Sequence, residues 1–281
     1  MAKKYILIAL MAVFVAACNY TDLGGMFVVG ESVNQRFEQS MAWNAQNPQQ
    51  NIVVATDNYK LYIAADFHVG KTMNLEKFIA KGKADAANAL VFVGDIANGN
   101  DYDFENLAAV LPDKQIMPWY MMAGNHELYF GGWEHYYKHF GSSSYYFAVE
   151  TSVASDLYIC VDTGSGTVGS KQLAWLKNIF ETKRSQYRHC VIFTHNNLFR
   201  VRRTGSTNPV VEELHVYNDL FARYNVAYVI TGHDHVRNEL KFGKTIHITM
   251  DAMLDGYKNA SYFVLEAKNA VLQHNFVGLN E

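Results

Sequence analysis

The sequence predicts an α/β fold in which two mixed β-sheets pack together with helices outside, and three observations predict it. From residue 51 onward, short apolar runs alternate with amphipathic segments at helical spacing. Strand–helix units come first and closely spaced strands follow, as when parallel units are completed by antiparallel ones. Five of the apolar runs break off into aspartate, asparagine or histidine, the residue types expected where the carboxyl edge of a sheet meets a ligand. The 281 residues suffice for one well-buried α/β domain and are short for two. Apolar residues at 49 % and charged residues at 18 % exclude a disordered chain. A net charge of -3 leaves no basic surplus for a nucleic-acid footprint.

The elements follow in order. Met-Ala-Lys-Lys precedes an uncharged run over 5–17, the pattern of a secretory signal. The run is shorter than the ~20 residues of a spanning helix. It ends in Val15-Ala16-Ala17-Cys18, which resembles a bacterial lipobox. The reading is a lipoprotein-type signal peptide over 1–17, lipidation at Cys18, and export to the bacterial cell envelope with the lipid as the sole hold on the membrane. Residues 18–50 form a tether and N-terminal segment, with a helix over 33–44 presenting Phe37, Met41 and Trp43 to the domain. The domain proper is 51–281. It begins with strands 52–55 and 60–65, read as a hairpin around Asp57-Asn58. Then come helix 74–87, strand 89–93, helix 104–111, strand 119–123 and helix 133–140. Strands 145–149 and 157–161 are close enough to pair antiparallel. Helix 171–182 carries Leu173, Leu176 and Phe180 at helical spacing. Strand 189–194, helix 212–224, strand 226–231 and the tail strands 246–250, 262–266 and 271–276 complete the chain. Cys160 and Cys190 lie in apolar runs and read as buried strand thiols, with a disulfide between them left open.

The chemistry sits at the ends of five strands: Asp66-Phe67-His68, Gly94-Asp95, Gly124-Asn125-His126-Glu127, His195, and Gly232-His233-Asp234-His235. Such a cluster is costly to bury unless a cation neutralises it. Imidazole and carboxylate suit Zn, Fe and Mn, and one carboxylate can bridge two cations about 3.5–4 Å apart. Gly94, Gly124 and Gly232 are read as turning the backbone so that the next side chain faces the site.

These five motifs, in this order, resemble those of the calcineurin-like metallophosphoesterase family, and Gln172-Leu173-Ala174-Trp175-Leu176 resembles that family's helix between the third and fourth. The resemblance implies a four-layer sandwich and a hydrolase of phosphate monoesters or diesters with two divalent or transition metal ions. It implies one metal held by Asp66, His68, Asp95 and His235, and the other by Asp95, Asn125, His195 and His233. Asp95 would bridge, and a hydroxide shared by the two ions would attack phosphorus in line. His126 would bind no metal and would donate a proton to the leaving oxygen.

Departures from the family narrow the class. Asn98 stands where protein Ser/Thr phosphatases carry aspartate, Gly99 where they carry a phosphate-binding arginine, and Ala123 where they carry another. Asn98 also replaces the tyrosine ligand of purple acid phosphatases, which lack the counterpart of His68. A general phosphoesterase is therefore expected. Arg200, Arg202 and Arg203 are candidates for phosphate capture. His247 is placed either beside the ligands or in packing. An exported nucleotidase and an inactive binding module on the same scaffold, such as the family's retromer subunit, are the alternatives. The partner is the phosphate-ester substrate, and the oligomeric state is open.

Overall fold

The computed structural model describes residues 30–199 and 207–280. Cys18, Arg200, Arg202 and Arg203 lie outside them. The elements run β1 (Ile52–Val53), β2 (Tyr59–Ala64), β3 (Ala89–Val93), β4 (Trp119–Met122), β5 (Tyr145–Glu150), β6 (Ser155–Val161), β7 (Cys190–Thr194), β8 (Tyr228–Thr231), β9 (Asn238–Phe242), β10 (Thr245–Thr249), β11 (Ser261–Lys268) and β12 (Val271–Gly278). The helices are α1 (Val33–Gln46), α2 (Met73–Ala84), α3 (Asp101–Val110), α4 (Gly132–Phe140), α5 (Gly169–Thr182) and α6 (Val211–Arg223).

The strands form a seven-stranded sheet in the order β1-β5-β6-β7-β8-β10-β9 and a five-stranded sheet in the order β12-β11-β2-β3-β4. Both mix parallel and antiparallel pairs. Their inner faces meet in a core that includes Leu61, Ile63, Val91, Phe147, Tyr158, Phe193 and Phe263. The alternate residues of the same strands point outward under helices. On the five-stranded sheet Phe92 clusters with Phe78, Phe104 and Trp133 from the helices, and Leu176, Phe180 and Phe221 pack on the seven-stranded one. Burial on both faces explains why the strands read as continuous apolar runs. The result is the four-layer arrangement expected from the sequence.

The expected hairpin over 52–65 does not form. β1 joins the seven-stranded sheet, parallel to β5, while β2 lies in the other sheet between β3 and β11. Asp57 is not a turn residue: its carboxylate accepts from Arg188 Nη1 at 2.7 Å and Thr151 Oγ1 at 2.9 Å. β9 had no signal in the sequence. It is an exposed edge strand without alternating burial, joined to β10 across Gly243.

α1 packs onto the domain. Ser32 and Gln35 close its N-terminus with a capping box, and Arg36, 2 % exposed, holds both oxygens of Asp162 at 2.9 and 3.2 Å. Phe37 packs at a tilt against Trp175, and Trp43 edge-on against Tyr137. Cys160 and Cys190 are both free and buried, on neighbouring strands but out of register. Burial pushes the Cys190 thiol up to about 12. Among the described residues, no helix is long and apolar enough to cross a membrane.

Candidate metal centre

The carboxyl ends of β2, β3 and β4 from one sheet meet those of β7 and β8 from the other, and the backbone ties them together. Asp66 N donates to Gly94 O, His68 N to Asp95 O and Gly232 N to His195 O, each at 3.0 Å. Turning the chain inward at these ends requires left-handed backbone at the functional residues themselves. Asp66, His68, Asp95, His233 and His235 have φ of 57, 47, 52, 70 and 57°. Non-glycine residues rarely adopt this region, and a cluster of them marks a strained site. The glycines therefore act differently from the expectation. Gly94 does turn, with φ 76°, but Gly124 and Gly232 have no positive φ. They provide room: a Cβ on residue 124 would lie 2.5 Å from Asp95 N and closer still to its Oδ1, and one on residue 232 would overlap Asp66 Oδ2.

The side chains form overlapping groups. Donor atoms of Asp66, His68 and His235 lie within 4.8 Å of one another, as do those of Asp95, His195 and His233, and those of His68, Asp95 and His126. His235 Nε2 stands 3.1 Å from Asp66 Oδ1, and 3.2 Å from His68 Nε2. Asp95 lies between the groups, its Oδ2 3.1 Å from His195 Nε2 and 4.0 Å from His68 Nε2. Burial works against ionising either aspartate, yet the surrounding imidazoles, His235 for Asp66 and His195 for Asp95, hold both carboxyls below their usual range. Burial first, then His126, pushes His68 down to about 3, so its ring is neutral and offers a lone pair.

His195 tests whether a cation fits. Its Nδ1 lies 2.9 Å from the Val93 carbonyl, an acceptor, so Nδ1 carries the proton. Nε2 then presents a lone pair to Asp95 Oδ2, and among the described residues it makes no well-formed hydrogen bond despite the short distance. Two acceptors facing each other in a buried site require a positive charge between them. Without one the ring must take a second proton: burial opposes this, but Asp95 outweighs it and pushes His195 up to about 10. Asn125 gives the same answer. Its Nδ2 donates to the Tyr129 hydroxyl at 2.5 Å, which leaves Oδ1 buried with no hydrogen-bond partner among the described residues. The donor set is the mixture of imidazole, carboxylate and amide oxygen that Mn, Fe or Zn accepts.

His126 is placed differently from these residues. Its side chain is 30 % exposed and its Nε2 is 3.9 Å from Asp95 Oδ2, while its backbone N donates to Asp95 Oδ1 at 2.8 Å. Asn98 Nδ2 donates to His68 O, so Asn98 Oδ1 faces the Nδ1 atoms of both His68 and His126, each at 3.2 Å. One amide oxygen thus sets the tautomer of two rings and turns both Nε2 atoms toward the centre.

Glu127 and Tyr129 went unassigned at the level of sequence. Buried Glu127 accepts from Asp95 N at 2.8 Å, Gly124 N at 2.6 Å and Ala97 N at 2.7 Å, locking two motif loops together. Burial, with Asp95 beside it, pushes its carboxyl up to about 7. Its position at the end of Gly-Asn-His-Glu was the available signal; Tyr129 had none. His247 has aromatic rings, not ligand residues, as its described ring neighbours. It lies on β10 under Phe199 and Phe221, a packing position where burial pushes it down to about 4.

Residues 59–237 match the sequence profile of the calcineurin-like phosphoesterases. No curated protein matches the chain at a significant level. Several solved structures share the fold. GAP50, the anchor in the inner membrane complex of Plasmodium, is 14 % identical, with 80 % of this chain and 86 % of that chain covered and a TM-score of 0.61. A dimetal phosphatase from Danio rerio is 12 % identical, with 79 % and 99 % covered and a TM-score of 0.58. A candidate 5′-nucleotidase from Staphylococcus aureus is 11 % identical, with 79 % and 54 % covered and a TM-score of 0.55.

Proposed function

The chain belongs to the calcineurin-like phosphoesterase family, and we propose that it hydrolyses phosphate monoesters or diesters with two metal ions, in the bacterial cell envelope. Asp66, His68, Asp95 and His235 would hold one ion, and Asp95, Asn125, His195 and His233 the other. Mn, Fe or Zn bound there would supply positive charge for the phosphoryl oxygens and would lower the pKa of water for hydrolysis near neutral pH. The protein's own residues do the rest. Asp95 faces both groups and so keeps them in one register. Glu127 and Tyr129 hold Asp95 and Asn125 in place through the contacts described above. His126, held by Asn98 with its first proton on Nδ1 and open to solvent, takes a second proton at Nε2 and hands that one to the leaving oxygen.

The facing lone pairs of His195 and Asp95 together with the buried Asn125 Oδ1 carry this reading: a second proton on His195 would settle the pair but would leave the amide oxygen with no hydrogen-bond partner among the described residues. An inactive binding module would have no use for a solvent-open histidine held beside His68 and Asp95 in addition to the two proposed ligand sets. The deciding experiment is phosphate release from a panel of phosphomonoesters and phosphodiesters, nucleotides included, by metal-replete and by chelator-treated protein. We expect turnover that chelation abolishes and Mn, Fe or Zn restores. A metal-replete protein inert on the whole panel would overturn the proposal. The envelope location rests on the lipobox-like sequence ending at Cys18.

A further inference from the structure

The turn that follows His126 carries an unusual residue. Over the 3₁₀ turn His126–Gly131, Tyr129 is extended (φ -67°, ψ 148°) and Phe130 is left-handed (φ 56°, ψ 29°). A bulky side chain in that region is strained. Phe130 is nevertheless 55 % exposed, so packing does not repay the strain. Among the described residues it alone combines a large exposed apolar side chain with a positive φ.

The loop is held there by backbone contacts. Gly99 has φ 86°, and a Cβ on it would overlap Tyr129 O and lie 3.0 Å from His126 O. A Cβ on Gly132 would lie 2.6 Å from Gly99 Cα and 2.7 Å from Glu127 O. The two glycines let the loops after β3 and β4 touch backbone to backbone, which fixes Phe130 and fills the space a side chain at residue 99 would use. Ring neighbours link Phe130 to His126: the His126 and Tyr129 centroids are 4.5 Å apart, and those of Tyr129 and Phe130 6.5 Å.

We propose that Phe130 is a specificity-determining residue that packs against a planar aromatic ring in the substrate's organic group, on the side where the ester oxygen leaves. This rests on the phosphoesterase reading above, which places the leaving oxygen at His126. Strain held at an exposed aromatic beside a reaction centre is what a binding role explains and folding does not. The preferred substrates are phosphate esters bearing an aryl group or a nucleobase.

The test compares phenethyl phosphate with ethyl phosphate, two alkyl esters that differ by the ring. Phe130→Ala lowers kcat/KM about 10-fold on phenethyl phosphate, mainly through KM, as loss of one ring stack does. It leaves ethyl phosphate within about twofold, and Phe130→Trp keeps the preference. Equal losses on both esters, or none on either, overturn the proposal. Calorimetric binding of benzylphosphonate and methylphosphonate to metal-loaded protein separates it from the hydrolysis reading. If no ester turns over but Phe130→Ala weakens benzylphosphonate alone, the ring site stands and the hydrolase assignment falls. If the two phosphonates bind alike in the wild type, the ring site falls. Phe130→Gly, which relieves the backbone, unfolds at or above the wild-type temperature; a marked fall would make Phe130 a packing residue and overturn the proposal.

Discussion

Gly124→Ala changes no candidate ligand and adds one methyl group, yet it should disable the centre. That methyl would stand 2.5 Å from Asp95 N, 2.8 Å from His195 Cδ2 and nearest of all to Asp95 Oδ1. Unbonded heavy atoms prefer separations of about 3.5 Å or more, so the carboxylate must retreat by roughly 1 Å. Retreat breaks the 2.8 Å hydrogen bond from His126 N to Asp95 Oδ1 and pulls Asp95 from its place between the two ligand groups. A 1 Å misplacement near the chemistry is worth about 100-fold in rate. The overpacking itself costs about 1–3 kcal/mol. The assay is kcat on p-nitrophenyl phosphate with metal-replete protein, together with metal content and thermal unfolding. Gly243→Ala is the control. Its φ of 63° makes alanine strained by about 1–2 kcal/mol, but nothing stands within 4 Å of the added carbon. It should lose stability and keep its turnover. A Gly124→Ala protein with wild-type metal content and turnover within about twofold would refute the placement of Asp95.

Three further outcomes follow from the same geometry. His126→Ala should lose roughly 10²–10⁴-fold in kcat on alkyl esters and much less on p-nitrophenyl phosphate, whose leaving group needs little protonation; equal losses would make His126 a binding residue. His247 stays neutral in the fold down to about 4, whereas the unfolded chain protonates it near 6.5, so its stabilisation is full above pH 6.5 and lost as the pH falls toward 4. That loss amounts to about 3 kcal/mol, and His247→Leu should flatten the stability profile across this window; an unchanged profile in chemical denaturation would contradict the buried neutral ring. Cys18→Ala should leave the protein unanchored, and membrane fractionation with mass spectrometry of the mature N-terminus decides it: a native start at any residue other than 18 rules the lipoprotein out.

The candidate centre was legible because its chemistry is written in residue types at strand ends. Asp66 follows an apolar run directly and Asp95 and His195 follow one after a single residue, and a run that stops in a buried polar residue is visible without any knowledge of pairing. What was hidden depends on partners distant in sequence. Ile52 and Val53 look like one arm of a hairpin because Asp57-Asn58 reads as a turn, but their ladder partners are Val149 and Glu150. No local pattern carries that. β9 was hidden for another reason: an exposed edge strand such as Asn-Glu-Leu-Lys-Phe has no buried face to impose alternation. The role of the glycines was misplaced because composition suggests flexibility at Gly124 and Gly232, whereas the structure puts the left-handed turns on the ligands and uses these glycines as space. Tyr129 was invisible because the role seen for it is a hydrogen bond accepted from Asn125, whose meaning appears only when the amide's other end is seen to be buried with no hydrogen-bond partner among the described residues.

The claim on which the rest depends is that two ions share Asp95. Its most direct measurement is metal content by plasma mass spectrometry, on wild-type and Asp95→Asn protein purified without chelator and compared at equal folded fraction. The account predicts two ions per chain in the wild type and loss of both in the variant, because neither ligand group is complete without that carboxylate. A wild type holding a single ion, or a variant that releases one and keeps the other, would contradict it.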